Sequence, residues 1–317
     1  MATEPRSDEA AKQGIVVFAY SEVGHACLDA LLARGEKVLA LFTHEDAPDE
    51  RQWFKSCAAL ARARGIPVYT QEPRDGDTVE RLVRELAPDL IFSFYYRKMI
   101  PERILKLARL GAYNMHGSLL PRYRGRAPLN WAIIHGENET GVTLHVMVKE
   151  ADAGDVIDME AVAIGPDETA GEVAARIPAA AVRLILRQID GLKAGTAPRH
   201  VQDVSQATYF GIRKPEDGRI DWRQSARQVF NLIRAVAPPF PGAFTQAAGR
   251  RLMVWQARVA EGGGRPGEVM SLSPLRIAAG EGAVELLHFG FEGEPEAQAS
   301  EAVLALLHKG DILGEAA

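Results

Sequence analysis

The chain has 317 residues, of which 47% are hydrophobic and 25% are charged, and its formal net charge is -5. This length suggests about two globular domains. The negative charge argues against a protein that wraps nucleic acid, because such binding relies on Lys and Arg side chains that neutralise phosphates. No apolar run resembles a signal peptide or is long enough to span a bilayer, so we expect a cytoplasmic protein.

The first half of the chain alternates short apolar runs with segments of helical periodicity. The apolar runs are typical of buried parallel strands and lie at 15–19, 37–43, 90–94 and 112–116. Helices are predicted at 26–33, 53–64, 78–86 and 129–135. Three glycines, Gly35, Gly65 and Gly136, stand where C-terminal helix caps are expected. The pattern predicts a Rossmann-like α/β fold.

Two features narrow the class of this fold. The first strand leads into Tyr20-Ser-Glu-Val-Gly24 rather than Gly-x-Gly-x-x-Gly, which argues against an NAD-dependent dehydrogenase. The cysteines, Cys27 and Cys57, are far apart and fit neither a disulfide framework nor a Cys-x-x-Cys metal or redox site. We interpret both cysteines as packing residues.

The pattern changes further along the chain. A strand predicted at 142–148 ends in a polar run that carries Asp152, and an Ala-rich helical stretch at 170–193 is either broken at Pro178 or restarted there. From Tyr209 onward, short β-like runs are separated by Gly and Pro, at 251–255, 267–270 and 283–287. We therefore predict a flexible N-terminal tail at 1–13, a Rossmann-like domain at 14–214 and a C-terminal domain at 215–317.

The segment 111–128 is the most informative, because it places Asn114 and His116 two residues apart before an abrupt change to Pro, Gly and Arg. On an extended strand, residues i and i+2 face the same way. A carboxamide beside an imidazole can bind a developing oxyanion and transfer a proton in the same small space. The pattern points to acyl transfer, although two buried polar side chains bonded to nearby backbone would give the same spacing.

Asp152 is predicted to lie at the same rim, because ligands of open α/β sheets bind beyond the carboxyl ends of the strands. Local chemistry alone would equally allow an Asx turn, with Gly154 supplying a relaxed backbone. The nearby arginines, Arg122, Arg124 and Arg126, form either an anion-binding cluster or a solvated surface.

These residues together resemble the signature of the folate-dependent formyltransferase family. The match is Asn114-x-His116-x-Ser118-Leu119-Leu120-Pro121, followed by Arg124-Gly125 and Asp152. The segments 92–97, 123–131 and 234–244 are most similar to the formyltransferase part of the bifunctional polymyxin-resistance enzyme, which formylates UDP-4-amino-4-deoxy-L-arabinose. The resemblance extends from about Ile15 to the region of Leu287. It implies a Rossmann-like formyltransferase domain and a smaller C-terminal OB-like β-barrel domain.

The resemblance also implies roles for individual residues. Asn114 would donate its amide to the oxyanion, His116 would carry the proton, and Asp152 would orient His116 and raise its pKa. The implied co-substrate is 10-formyltetrahydrofolate, with contacts from Lys98, Met99, Ile100, Arg126, Val148, Lys149, Glu150, Ala151 and Asp152. No metal is expected. His145, which alternates with apolar neighbours on a strand, is interpreted as a core residue.

Three other functions stay open at this stage. Methionyl-tRNA formyltransferase shares the catalytic signature, but the run at 43–50 is acidic here and unsuited to a tRNA acceptor stem. A second alternative is a formyltransferase for another nucleotide-linked amino sugar. The third is a folate or nucleotide-sugar sensor that uses the same pocket for binding alone.

Expectations about partners follow from the same resemblance. The bifunctional relative continues into an NAD-dependent decarboxylase domain, whereas this chain ends at Ala317. We therefore expect a separate decarboxylase upstream, a nucleotide-sugar substrate, and no nucleic acid or membrane span. The sequence predicts neither the oligomeric state nor the residues that contact the sugar nucleotide.

Overall fold

The computed structural model describes residues 14–45, 54–73, 77–294 and 299–314. They form two compact units that are each assembled from several stretches of chain. The first unit contains the described residues up to Gly125 together with Gly141–Val162 and Arg176–Tyr209. The second contains Arg126–Thr140, Ala163–Ala175 and the described residues from Phe210 onward. The tail predicted at 1–13 lies outside the described residues, and the domain boundary near Lys214 stays a prediction.

Strands and helices alternate in the first half of the chain, and strands dominate the last third. The strands are β1 Ile15–Ala19, β2 Val38–Phe42, β3 Val68–Tyr69, β4 Leu90–Phe94, β5 Gly111–His116, β6 Arg124–Gly125, β7 Glu139–Val146, β8 Val156–Ala163, β9 Tyr209–Phe210, β10 Ala243–Ala247, β11 Arg250–Ala260, β12 Val269–Leu272, β13 Leu275–Ala278 and β14 Ala283–Phe291. The helices are α1 Ser21–Ala33, α2 Cys57–Ala63, α3 Asp77–Leu86, α4 Glu102–Leu105, α5 Pro128–Ile134, α6 Ala170–Ala174, α7 Ile177–Ala194, α8 Ala226–Val236 and α9 Ala299–Leu304. None of the described helices is both long and apolar enough to cross a bilayer.

The first unit is built on a seven-stranded sheet in the order β3-β2-β1-β4-β5-β7-β8. Strands β1 to β5 pair in parallel, and β7 runs antiparallel to β5. The strand order reverses between β1 and β4, which makes this the switch point where open α/β sheets bind ligands. The predicted Rossmann-like arrangement of parallel strands is confirmed.

Strand β1 illustrates why these apolar runs become central strands. All five of its residues are buried, and successive side chains point to opposite faces of the sheet. Val16 and Phe18 join Phe42 and Ile91 in one core cluster, in which the Phe18 and Phe42 rings stack at 4.6 Å. A strand that is covered on both faces needs an uninterrupted apolar sequence, which explains the pattern in the chain.

Helix α1 begins at Ser21, five residues before the predicted start at residue 26. Gly24 allows this early start, because a Cβ there would lie only 3.1 Å from the backbone oxygen of Phe94. The glycine therefore lets the first turn of the helix approach the sheet closely.

Caps fix the ends of the next helices. Helix α2 begins at Cys57 rather than near residue 53, because the Ser56 side chain accepts a hydrogen bond from the Ala59 N–H. Residue 53 itself lies outside the described residues. The predicted capping glycines Gly35, Gly65 and Gly136 have positive φ angles of 86°, 68° and 76°, as left-handed C-terminal caps require.

The Ala-rich stretch forms two helices rather than one. Helix α6 ends at Ala174, and α7 begins at Ile177 with Pro178 in its first turn. Proline is tolerated there because the N–H that it lacks has no partner within the helix. Of the two sequence-based alternatives, Pro178 therefore starts the second piece.

The second unit contains a five-stranded antiparallel sheet in the order β10-β11-β14-β13-β12. Helix α8 packs against β11 and β14, and a capping box of Ser225 and Gln228 fixes its start. The Trp222 indole N–H donates to the Thr245 hydroxyl at 3.0 Å beneath this sheet. Five antiparallel strands with one packed helix match the OB-like C-terminal domain that was predicted.

Candidate active site

Asn114 and His116 lie at the carboxyl end of β5, opposite two residues of β7. In the antiparallel register, Asn114 pairs with His145 and His116 pairs with Thr143. Directly paired residues share one face of a sheet. The His145 ring therefore lies beside the Asn114 amide, with 3.1 Å between His145 Nε2 and Asn114 Nδ2.

The position of the proton on His116 follows from its neighbours. His116 Nε2 lies 2.8 Å from the backbone oxygen of Tyr123. A carbonyl oxygen only accepts hydrogen bonds, so Nε2 carries a proton and donates it. Nδ1 then faces Asp152, 3.4 Å from Oδ1. Nδ1 is therefore the atom of neutral His116 that accepts a proton.

Asp152 brings the polar side chains together. Its Oδ1 accepts a hydrogen bond from Asn114 Nδ2 at 3.4 Å, and its Oδ2 accepts one from the Gly125 N–H at 2.9 Å. These partners lie 38 and 27 residues away, so the carboxylate connects β5 and β6 rather than closing a local Asx turn. The backbone of Asp152 has a left-handed φ of 55°, a strained state that occurs most often at functional sites.

Opposing effects set the charge of the site. Burial lowers the pKa of His116 more than the carboxylate of Asp152 raises it. Asp152 thus raises the pKa of His116, as the resemblance implied, but the burial of the imidazole, which the sequence did not reveal, outweighs this effect and leaves the pKa below its ordinary value. Burial alone would raise the pKa of Asp152, but His116 and His145 hold it well below its usual range. At neutral pH the site holds a neutral imidazole beside an ionised carboxylate.

The loop after β5 holds the Tyr123 carbonyl in place. Thr143 donates to the Ser118 carbonyl at 2.6 Å and accepts from the Leu120 N–H at 3.1 Å. Ser118 donates to the Arg122 carbonyl at 2.7 Å. Tyr123 adopts a left-handed φ of 58°, which turns its carbonyl oxygen towards His116. Ser118 of this loop and Thr143 of β7 thus have a positioning role within the first unit.

Sequence reasoning missed two residues of this site. His145 was interpreted as a core residue, and it is only 2% exposed. However, its Nδ1 donates to the Val146 carbonyl at 2.9 Å, which leaves Nε2 as an acceptor for Asn114. Gln202 donates to the carbonyls of Asp152 and Gly154 at 2.8 and 2.7 Å. The period-2 pattern could have placed His145 on the face of Thr143, but no sequence signal identified Gln202.

The residues predicted to bind the co-substrate occupy two segments, one after β4 and one after β7. Met99 is 48% exposed, whereas Ile100 is buried in the core cluster that Met147 also joins. Lys98 forms an ion pair with Glu72 at 2.8 Å. Val148, Lys149 and Glu150 are exposed and Ala151 is half-buried. Because Ile100 and Met147 pack in one core cluster, the two segments lie near each other.

The three arginines of the signature have different surroundings. Arg124 donates to the Gln202 side chain through two nitrogens, at 3.2 and 2.6 Å. The Arg122 guanidinium lies 5.5 Å from the centre of the Tyr123 ring. Arg126 belongs to the second unit, where its N–H donates to the Phe210 carbonyl at 2.9 Å and its side chain is exposed. Its predicted contact with a ligand stays a prediction. In the described parts of the chain, no three His, Cys, Asp or Glu residues are grouped so that they could hold a metal ion.

Comparison with protein-family models identifies the class of this site. The formyl transferase model matches residues 13–189, and the model of the formyl transferase C-terminal domain matches residues 213–305. The first match alone covers more than half of the chain. The protein therefore belongs to the formyl transferase family.

Solved structures of similar fold come from several organisms. An N-formyltransferase from Helicobacter canadensis, in complex with folinic acid and dTDP-3-aminofucose, has a TM-score of 0.69 and 17% identity over 86% of this chain and 98% of its own. A 4-N formyltransferase from Francisella tularensis has a TM-score of 0.62 and 22% identity over 77% and 97%. HypX from Aquifex aeolicus, in complex with tetrahydrofolic acid, has a TM-score of 0.63 and 21% identity over 95% of this chain and 50% of its own. These similarities support the shared fold.

Proposed function

We propose that this formyltransferase transfers the formyl group of 10-formyltetrahydrofolate to the 4-amine of UDP-4-amino-4-deoxy-L-arabinose. The grouping of the Asn114 amide, the His116 imidazole and the Asp152 carboxylate at the end of β5 carries the proposal. The relatives bound to folinic acid, tetrahydrofolic acid and dTDP-3-aminofucose support a folate co-substrate and a nucleotide-linked amino sugar.

The reaction places three demands on the site. The amine nitrogen forms a bond to the formyl carbon, and the formyl oxygen becomes an oxyanion that needs a hydrogen-bond donor. The amine must also lose a proton, and the bond between the formyl carbon and N10 of the folate must break as N10 gains one. A neutral His116 whose Nδ1 carries no proton supports the proton transfer in both directions. Asp152 stabilises the imidazolium that forms between the two transfers.

The Asn114 amide supports the oxyanion role. One of its hydrogens points to His145 Nε2 at 3.1 Å, and the other points to Asp152 Oδ1 at 3.4 Å. The longer bond is the weaker one. We infer that the Asn114 N–H directed to Asp152 gives up this bond and donates a hydrogen bond to the formyl oxygen instead. The bond to His145 keeps the amide oriented.

The choice of the amino sugar rests on the sequence. The segments 92–97, 123–131 and 234–244 carry the resemblance to the arabinose enzyme, and the net charge of -5 disfavours tRNA. In the acidic run at 43–50, residues 46–50 lie outside the described residues. Glu45 is exposed and accepts a hydrogen bond from Thr70 at 3.1 Å. Methionyl-tRNA and other nucleotide-linked amino sugars are the alternative acceptors.

A substrate panel tests the proposal. The purified protein is assayed with 10-formyltetrahydrofolate and UDP-4-amino-4-deoxy-L-arabinose, dTDP-linked 3- and 4-amino sugars, or methionyl-tRNA. We expect the highest kcat/KM with the UDP-arabinose derivative and no turnover of methionyl-tRNA. Preference for a dTDP-sugar would replace the substrate but keep the class, whereas turnover of methionyl-tRNA alone would overturn the proposal.

A further inference from the structure

His44 follows β2 and lies among residues that follow β1 and β4. Its ring stacks on Tyr96 with 4.2 Å between ring centres and an interplanar angle of 16°. It meets the Tyr20 ring edge to face at 5.2 Å. Three neighbouring strands of the first unit therefore contribute one aromatic ring each to a cluster at the switch point of the sheet.

His44 also accepts a hydrogen bond, which an apolar side chain at this position could not do. Its Nε2 accepts a hydrogen bond from the Arg97 N–H at 3.0 Å, across 53 residues of sequence. A backbone N–H only donates, so Nε2 carries no proton and Nδ1 carries the one proton of the neutral ring. Phe or Leu would retain the apolar packing of this position but would lose the acceptor.

The Arg97 side chain makes a second contact with the same aromatic cluster. Its guanidinium lies 4.3 Å from the centre of the Tyr20 ring, which is a favourable cation–π distance. Tyr95 has a left-handed φ of 57°, and Ser21, the first residue of α1, has a φ of 63°. A strained backbone persists only where its surroundings hold it. The contacts of Arg97, two residues after Tyr95, supply such a hold.

We propose that His44 is a positioning residue, which fixes the turn at Arg97 and thereby presents Lys98–Ile100 to the folate co-substrate. The inference rests on the proposed function, in which this segment contacts the folate. Met99 is the half-exposed member of the segment, with Lys98 paired to Glu72 and Ile100 anchored in the core. The hydrogen bond from Arg97 to His44 fixes the chain before Met99, and the burial of Ile100 fixes it after Met99.

Two variants separate the hydrogen bond from the packing. His44→Phe keeps an aromatic ring of similar shape and removes the acceptor, whereas His44→Gln returns an acceptor without the ring. We expect His44→Phe to raise the KM for 10-formyltetrahydrofolate about 5- to 10-fold, as for loss of one hydrogen bond of typical strength. The kcat and the KM for the amino sugar should stay within about 2-fold of wild type. His44→Gln should restore most of the folate KM.

His288→Phe is the matched control, because His288 also contacts an aromatic ring, Trp255, at 4.9 Å. An unchanged folate KM in His44→Phe, an equal rise in both KM values, or an equal rise in His288→Phe would overturn the inference. Binding of folinic acid, measured by calorimetry without amino sugar, separates this inference from the proposed acceptor. Weaker binding by His44→Phe than by wild type would support the positioning role even if no amino sugar were formylated, and equal binding would refute it.

Discussion

His116 is the side chain whose removal tests the chemistry most directly. His116→Ala removes the imidazole but keeps Asn114 and Asp152. We expect kcat to fall about 10²- to 10⁴-fold, the usual range for general acid–base groups. Initial-rate assays with both substrates saturating measure the effect, and circular dichroism checks the fold. His308→Ala is the control, since its side chain is 81% exposed. Near-wild-type turnover in folded His116→Ala would exclude the proton-transfer role.

The charge of Asp152 should appear in the titration of His116. Burial already places the pKa of His116 below the ordinary 6.5, and the carboxylate opposes that shift. Asp152→Asn removes the opposing charge, so the pKa of His116 should fall further. NMR titration of the imidazole measures it, and the acid limb of kcat/KM should move to lower pH together with it. An unchanged His116 pKa would mean that Asp152 acts only through its backbone turn.

His145 offers a test of how Asn114 is oriented. His145→Phe keeps the ring but leaves the Asn114 N–H without its acceptor. We expect kcat to fall about 10- to 100-fold, as for one unsatisfied buried donor, with a smaller change in either KM. Steady-state kinetics give both values. His145→Gln, which keeps an acceptor, should recover part of the loss; equal defects in the two variants would point to packing instead.

Individual residues differ in how far the sequence predicts them. Asn114 and His116 are predictable because their relation depends only on the period of one strand. His145 is not, because its contact with Asn114 depends on the register between β5 and β7. The net pKa shift of His116 also escapes sequence reasoning, since it depends on a burial that the whole loop after β5 produces.

At the scale of elements, the turn after β7 has a sharp steric limit. A Cβ added to Gly154 would lie 2.0 Å from the Val146 backbone oxygen. Gly154→Ala must therefore displace the 148–152 segment, at a cost of about 1–3 kcal/mol in the free energy of unfolding. Urea denaturation measures the loss, and the KM for 10-formyltetrahydrofolate should rise. Gly211→Ala is the control, because nothing lies within 4 Å of its added Cβ.

Elements buried on both sides were the ones that the sequence predicted best. Strands β1 and β4 have the predicted bounds, because continuous apolar runs admit few other interpretations. Helix starts were predicted less well. The start of α2 depends on a hydrogen bond from the Ala59 N–H to the Ser56 side chain, and nothing in the sequence distinguishes Ser56 as the cap. The start of α1 depends on the close approach of Gly24 to the Phe94 backbone oxygen of β4, which only the structure shows.

At the scale of the molecule, the charge of the protein and of its acceptor predicts how kcat/KM depends on salt concentration. A protein of net charge -5 that acts on a nucleotide sugar meets one diphosphate, whereas tRNA binding involves many phosphates. We expect log kcat/KM for the amino sugar to fall with log salt with a slope of magnitude about 1–2. Assays between about 50 and 200 mM salt measure the slope. A slope several times steeper would indicate a nucleic-acid acceptor.

The path of the chain has a consequence for dividing the protein. The chain crosses between the two compact units five times, after Gly125, Thr140, Val162, Ala175 and Tyr209. A fragment ending at Lys214 would keep α5 and α6 but lose α8, against which both pack. It would also lose Arg234, which donates to the carbonyls of Gly165 and Glu168. No single cut separates the units: a fragment ending at Lys214 would carry α5 and α6 without α8, and the remaining fragment would carry α8 without α5 and α6, so each would expose surface that is covered in the intact chain.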